Sequence, residues 1–167
     1  WINTGDIGVL SRNNELAITG RAKDTIVLMG GENIEPQVIE NAICRSKYVE
    51  SCVAVGQNKK YIGALIVPRK ANILQYANDN NILYDSYDSL IETSEIENLL
   101  RNEIDTYICE KNGFRTCERV GKFALIPNSF EIGREINAKQ IVMRHKIEKI
   151  YAKEIKMIFT SRVNSIT

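Results

Sequence analysis

The run from Gly20 to Pro36, GRAKDTIVLMGGENIEP, constrains the fold of this chain more than any other stretch. Its TIVLM segment is short and β-branched, which predicts a buried strand, and Gly30-Gly31 ends it. Two adjacent glycines permit positive φ and let a ligand or another chain come close to the main chain. A tight turn that meets no ligand is the plainer reading of the same pair. Pro36 then sits where a first helical turn tolerates it, and Val38, Ile39, Ala42 and Ile43 recur at helical spacing up to about Arg45. That apolar stripe needs a sheet to pack on.

The rest of the chain supplies one. Residues 7–19 read as a hairpin, with IGVL and LAIT on either side of a polar turn at Ser11 to Asn14. VESCVAVG (49–56) and YIGALIVP (61–68) are strands separated by the short polar segment Gln57 to Lys60. Residues 69–93 are rich in Asn, Asp, Tyr and Ser and read as an insertion, with a helix at Ala71 to Asn78 and a loose stretch to Ser86. Glu95 to Cys109 carries Ile96, Leu99, Leu100, Ile104, Tyr107 and Ile108 on one helical face, with Ser94 as N-cap. GKFALI (121–126) is a third strand ended by Pro127, and Ala138 to Ile158 read as one long helix. The fold expected is α+β (α/β-like): a small sheet of about three strands flanked by helices and preceded by a β-hairpin.

A length of 167 residues suits one domain, and 22 basic against 21 acidic side chains give no field that would draw in nucleic acid. No apolar run approaches the roughly 20 residues of a membrane-spanning helix. Cys44, Cys52, Cys109 and Cys117 are scattered, with only His145 to join them, so no metal site is expected and the thiols read as reduced core residues of a cytoplasmic protein. The start at Trp1, inside a motif, reads as that of a fragment.

Thr4-Gly5-Asp6 ahead of GRxKD (Gly20, Arg21, Lys23, Asp24), followed by GG-x-N-I-x-P (Gly30 to Pro36), resembles the adenylate-forming, AMP-binding superfamily, most closely the C-terminal domain of its long-chain fatty acyl-CoA synthetases. The resemblance implies that residues 1–22 close a large N-terminal domain, 23–160 form a small mobile domain, and 161–167 are a tail. It implies that Asp6 grips the ATP ribose, that Arg21 faces the nucleotide, and that Lys23 is the hinge. Gly30 and Gly31 then line the CoA channel. Local chemistry is compatible: a carboxylate offers two acceptor oxygens to vicinal hydroxyls, and a guanidinium offers a planar fork of donors. Each residue also has a plainer reading as a turn or surface residue. Asn33, Glu35, Pro36 and Glu40 match family positions that fix the turn and helix.

The sequence departs from the family near its end. Long-chain synthetases carry a stretch like E-L-T-x-T-L-K-x-K-R, whose first lysine stabilises charge during adenylation. The matching residues are EINAKQIVMR, Glu135 to Arg144, which put Ile141 at that lysine and Met143 at the second, while Arg144 keeps the arginine. Lys139, two residues earlier, is the candidate replacement. Lys139, Arg144, Lys146, Lys149, Lys153 and Lys156 make the last helix basic, a face for CoA phosphates or lipid headgroups, or simply a solvated surface. The resemblance implies a parent ligase that uses ATP with Mg2+ and CoA on a fatty acid, through an acyl-adenylate, in which this fragment alone is inactive. An acyl:acyl-carrier-protein synthetase, or an interaction module whose lid has lost its chemistry, are the rivals.

Overall fold

The structure is a computed structural model that describes residues 5–21 and 23–160; for residues 19–21 it describes the backbone alone. At its centre is a three-stranded sheet in the order β5 (Val49–Val55), β6 (Ile62–Pro68), β7 (Val120–Leu125). β5 and β6 are antiparallel across a short turn, whereas β6 and β7 are parallel. A parallel pair needs a crossover of a dozen residues or more. Helices α2 (Lys70–Asp79), α3 (Tyr87–Ile91) and α4 (Ser94–Tyr107) provide it.

Residues 69–93 thus belong to the crossover, where Ile73, Ala77 and Leu90 are fully buried. The sheet is covered on both faces, which is why β6 is apolar at every position. Cys52 and Ala54 of β5 share one face with Ile62, Ala64 and Ile66 of β6, packed on α1 (Pro36–Ile43) and on Ile96, Leu100 and Ile104 of α4. Val53, Val55, Leu65 and Val67 point the other way, toward Ile147 and Ile158 of helices α5 (Arg144–Ile150) and α6 (Ala152–Thr160). Gly63 admits α6 this closely: a Cβ there would stand 2.6 Å from Ile158 Cγ2.

Two small sheets precede this unit. β1 (Asp6–Leu10) and β2 (Leu16–Arg21) form the expected hairpin, slightly longer than 7–19, with Asp6 opposite Arg21. β3 (Ile26–Val27) and β4 (Asn33–Ile34) form the second.

Several expectations need correction. TIVLM does not make a five-residue buried strand: only Ile26 and Val27 pair, and Met29 is 66% exposed at the turn. The N-cap of α4 is Thr93, whose hydroxyl accepts from the Ile96 amide at 3.5 Å, rather than Ser94. The single helix expected over Ala138 to Ile158 is a loop followed by two short helices. Gln140 at φ +58° cannot continue a helix, Ile136 bridges Val142, and the Met143 amide donates to the Glu135 carbonyl, so helical bonding begins only beyond them. Of the four cysteines, all free, Cys52 alone is buried, and burial pushes its thiol well above the ordinary value.

Candidate functional site

The diglycine turn is held by main chain. The Gly31 amide donates to the Leu28 carbonyl at 2.9 Å and the Leu28 amide to the Glu32 carbonyl at 3.0 Å, which closes a tight hairpin loop with Gly31 at φ +88°. Such a loop wants glycine at its left-handed position. Nothing lies within 4 Å of where a Gly31 Cβ would be, and both glycines are exposed. The β5–β6 turn braces it: Asn58 donates to the Val27 carbonyl and Met29 to the Lys59 carbonyl, both at 2.9 Å. Thr25 Oγ1 donates to Glu35 Oε1 at 2.7 Å, closing the base.

A different economy of contacts surrounds Arg144. Its Nη2 reaches both oxygens of Glu40 at 2.7 and 2.9 Å, and its Nη1 donates to the Ala54 carbonyl at 3.1 Å. Glu40 in turn accepts from the Ala54 amide at 2.8 Å. The pair therefore satisfies both outward-facing backbone groups of Ala54 on the edge strand β5. Burial raises the Glu40 carboxyl above its ordinary value even though Arg144 pulls it back. Asp24, just past the expected hinge, stands 3.9 Å from Arg144 Nε. Glu40 and Arg144 belong to separate motifs of the sequence. The only sign of their union was a glutamate beside the buried residues Ile39 and Ile43 of α1.

Arg144 also ends the loop that carries Lys139 and Ile141. Asn137 Oδ1 accepts from the amides of Lys139 at 2.9 Å and Ile141 at 3.0 Å. Upstream, Glu135 is 1% exposed, with Oε1 accepting from Tyr151 Oη and Oε2 from the Glu131 amide, each at 3.0 Å. Burial, then Glu135, push the Tyr151 hydroxyl up to about 12. No sequence signal distinguished Glu135 or Asn137 as organisers.

The loop has a groove on each side. One, of about 470 Å³, is lined by Asp6, Asp24, Glu40, Gln140, Ile141 and Arg144 among others. The other, of about 570 Å³, is lined by Lys23, Asp24, Ile141, Arg144 and His145 among others. Ile141, 47% exposed, lines both; Lys139 is exposed and lines neither, nor do Gly30 and Gly31. The structure thus brings Asp6 together with Ile141, not with Lys139. Lys23 is exposed, and the Arg21 side chain lies outside the described residues. Lys146 Nζ donates to the Gly133 carbonyl at 2.8 Å, whereas Lys149, Lys153 and Lys156 are exposed. Among the described residues no three His, Cys, Asp or Glu side chains gather as metal ligands, and no helix is long and apolar enough to cross a membrane.

Comparison with known proteins agrees with this architecture. A long-chain-fatty-acid–CoA ligase of Mycobacterium tuberculosis is 29% identical over 161 residues, covering 95% of this chain and 26% of that protein. A long-chain-fatty-acid–[acyl-carrier-protein] ligase of Arabidopsis thaliana chloroplasts is 42% identical over 80 residues, 42% of this chain and 11% of that one. The adenylation domain of a carboxylic acid reductase from Segniliparus rugosus, solved with AMP and a co-purified carboxylic acid, superposes with a TM-score of 0.76 at 18% identity, over 93% of this chain and 23% of that one. The chain thus spans about a quarter of the length of the relatives that it matches over nearly all of its own length. The family profile described as AMP-binding enzyme C-terminal domain matches residues 23–163, and the chain belongs to that family.

Proposed function

We propose that this chain is the mobile lid of an AMP-forming long-chain fatty acid:CoA ligase. In the reaction, the fatty carboxylate attacks the α-phosphorus of ATP, giving acyl-AMP and pyrophosphate. The CoA thiol then attacks the acyl carbon, giving acyl-CoA and AMP. The observation that carries the reading is the division of the lid into two faces: the 137–144 loop shares a groove with Asp6, while the exposed diglycine turn lies outside it. A lid that swings about Lys23 would present the loop during adenylation and Gly30-Gly31 to the pantetheine arm during thioester formation.

Asp6, exposed in that groove, fits a ribose through two carboxylate oxygens. Arg21 is the second proposed nucleotide contact. Mg2+ would arrive with ATP, held by groups outside this lid. The boundary between the domains is proposed at residues 22 and 23, with residues 161–167 as a tail. The exposed apolar residues Val9, Leu10, Leu16 and Ile18 of the hairpin suit a surface covered by the large nucleotide-binding domain.

The test is pyrophosphate release by the full-length protein with palmitate, ATP and Mg2+. Lys139→Ala should slow it by about tenfold if that lysine swings into the groove; unchanged release removes Lys139 from the mechanism. Two observations favour other readings. The stretch shared with a carrier-protein ligase makes acyl-carrier protein the alternative acceptor, decided by exchanging it for CoA in the thioester assay. Ile141 in the groove favours a module without chemistry, in which case no fatty acid releases pyrophosphate. We further propose a cytoplasmic parent that touches anionic membrane through Lys149, Lys153 and Lys156; failure to sediment with phosphatidylserine vesicles would sink this.

A further inference from the structure

We propose that Asn137 is a positioning residue for the adenylating half-reaction, holding residues 137–141 in one closed shape whose Gln140 and Ile141 face the groove of Asp6. This rests on the ligase reading, since only there does the loop have a nucleotide to meet. The loop is closed by four bonds. Asn137 Oδ1 accepts from the Lys139 and Ile141 amides at 2.9 and 3.0 Å. The Asn137 amide donates to the Ile141 carbonyl at 2.9 Å, and the Gln140 amide to the Asn137 carbonyl at 2.8 Å. Two of the four belong to one carboxamide oxygen, so that single atom decides whether two amides are tied or compete for water.

The closure has something to overcome. Gln140 sits at φ +58°, the left-handed region that side chains other than glycine disfavour. Both ends of the loop are moored, at buried Glu135 on one side and at the Arg144–Glu40 pair on the other, and the Met143 amide joins them by donating to the Glu135 carbonyl. A segment fixed at both ends and tied through its middle is already ordered when it meets its partner, and a loop ordered beforehand places groups in the transition state with less entropy to lose. Gly30 and Gly31 are outside the groove, so on the ligase reading, in which they meet CoA, the second half-reaction should not draw on this loop.

The experiment uses the full-length parent carrying Asn137→Ala or Asn137→Asp. One assay follows pyrophosphate released from palmitate and ATP; the other follows thioester formed from prepared palmitoyl-adenylate and CoA. Asn137→Ala should slow the first about tenfold or more and leave the second within about twofold, while Asn137→Asp, which keeps an acceptor oxygen, returns the first to within about threefold of wild type. Amide hydrogen exchange at Lys139 and Ile141 should quicken in Asn137→Ala alone. Equal slowing of both assays, slowing of neither, no rescue by Asp, or unchanged exchange overturns the proposal. Should Asn137→Ala fail to fold, Gln140→Pro, which forbids φ +58°, must show the same split between assays. A wild type that releases no pyrophosphate sinks the ligase reading and this proposal together; an active wild type indifferent to Asn137 sinks the proposal alone.

Discussion

The diglycine turn between β3 and β4 and the 137–144 loop are both connections beside the central sheet, yet they are held by different means. The turn closes through backbone groups within five residues of one another and asks only for a left-handed glycine at Gly31. The loop adds side chains to its main-chain bonds: Asn137 ties two of its amides, and Arg144 reaches Glu40 across 104 positions of sequence. A connection built from main chain tolerates change at most of its residues. One built from side chains depends on a few of them absolutely.

The sharpest way to break that contrast is Arg144→Met. It leaves Glu40 buried without its partner, and the cost should be about 3 kcal/mol or more, read as a drop in unfolding free energy in urea. A loss below about 1 kcal/mol would mean that the pair does not anchor the loop. Next in size is Ile141→Lys in the parent, which places a cation in the groove and should raise pyrophosphate release by about tenfold; no gain would mean that Lys139 or the large domain already supplies the charge. Gly31→Ala meets no atom, so only its φ is penalised. Its unfolding free energy should fall by about 1 kcal/mol, and thioester formation should suffer more than adenylation.

The smallest effect is one of pH. The Glu40 carboxyl is raised on folding, so the native state holds that proton more tightly than the unfolded chain. Its contribution to stability is full below the ordinary carboxylate value and is lost as pH rises through the raised one. The difference between the stability curves of wild type and Glu40→Gln should therefore fall with rising pH across that window and be flat outside it. A difference that rises there would show that Arg144 outweighs burial.

Reading from sequence succeeded where the determinants are local. Pro36 and the spacing of Ile39, Ala42 and Ile43 gave α1 to within two residues, and the apolar runs around Cys52 and Leu65 gave β5 and β6. It failed where tertiary contacts override local preference. The residues from Ala138 to Met143 look helical by apolar spacing, but Asn137 and Glu135 divert their amides into a loop. Met29 looks like the last residue of a strand, but it occupies the exposed turn that Gly31 makes possible. The candidate site followed the same rule: Gly31 announces itself by composition, whereas the Arg144–Glu40 pair is invisible until two distant segments are folded together.

Because Ile147 of α5 and Ile158 of α6 pack over Val53, Val55, Leu65 and Val67, residues 144–160 are structural lagging as much as they are part of any catalytic device. A version cut after Asn137 would present a wet apolar β-surface, and the free rim of β5 would lose the guanidinium that guards Ala54. Such a shortened protein should precipitate by stacking rim to rim, which makes this end of the chain a poor place for a truncation.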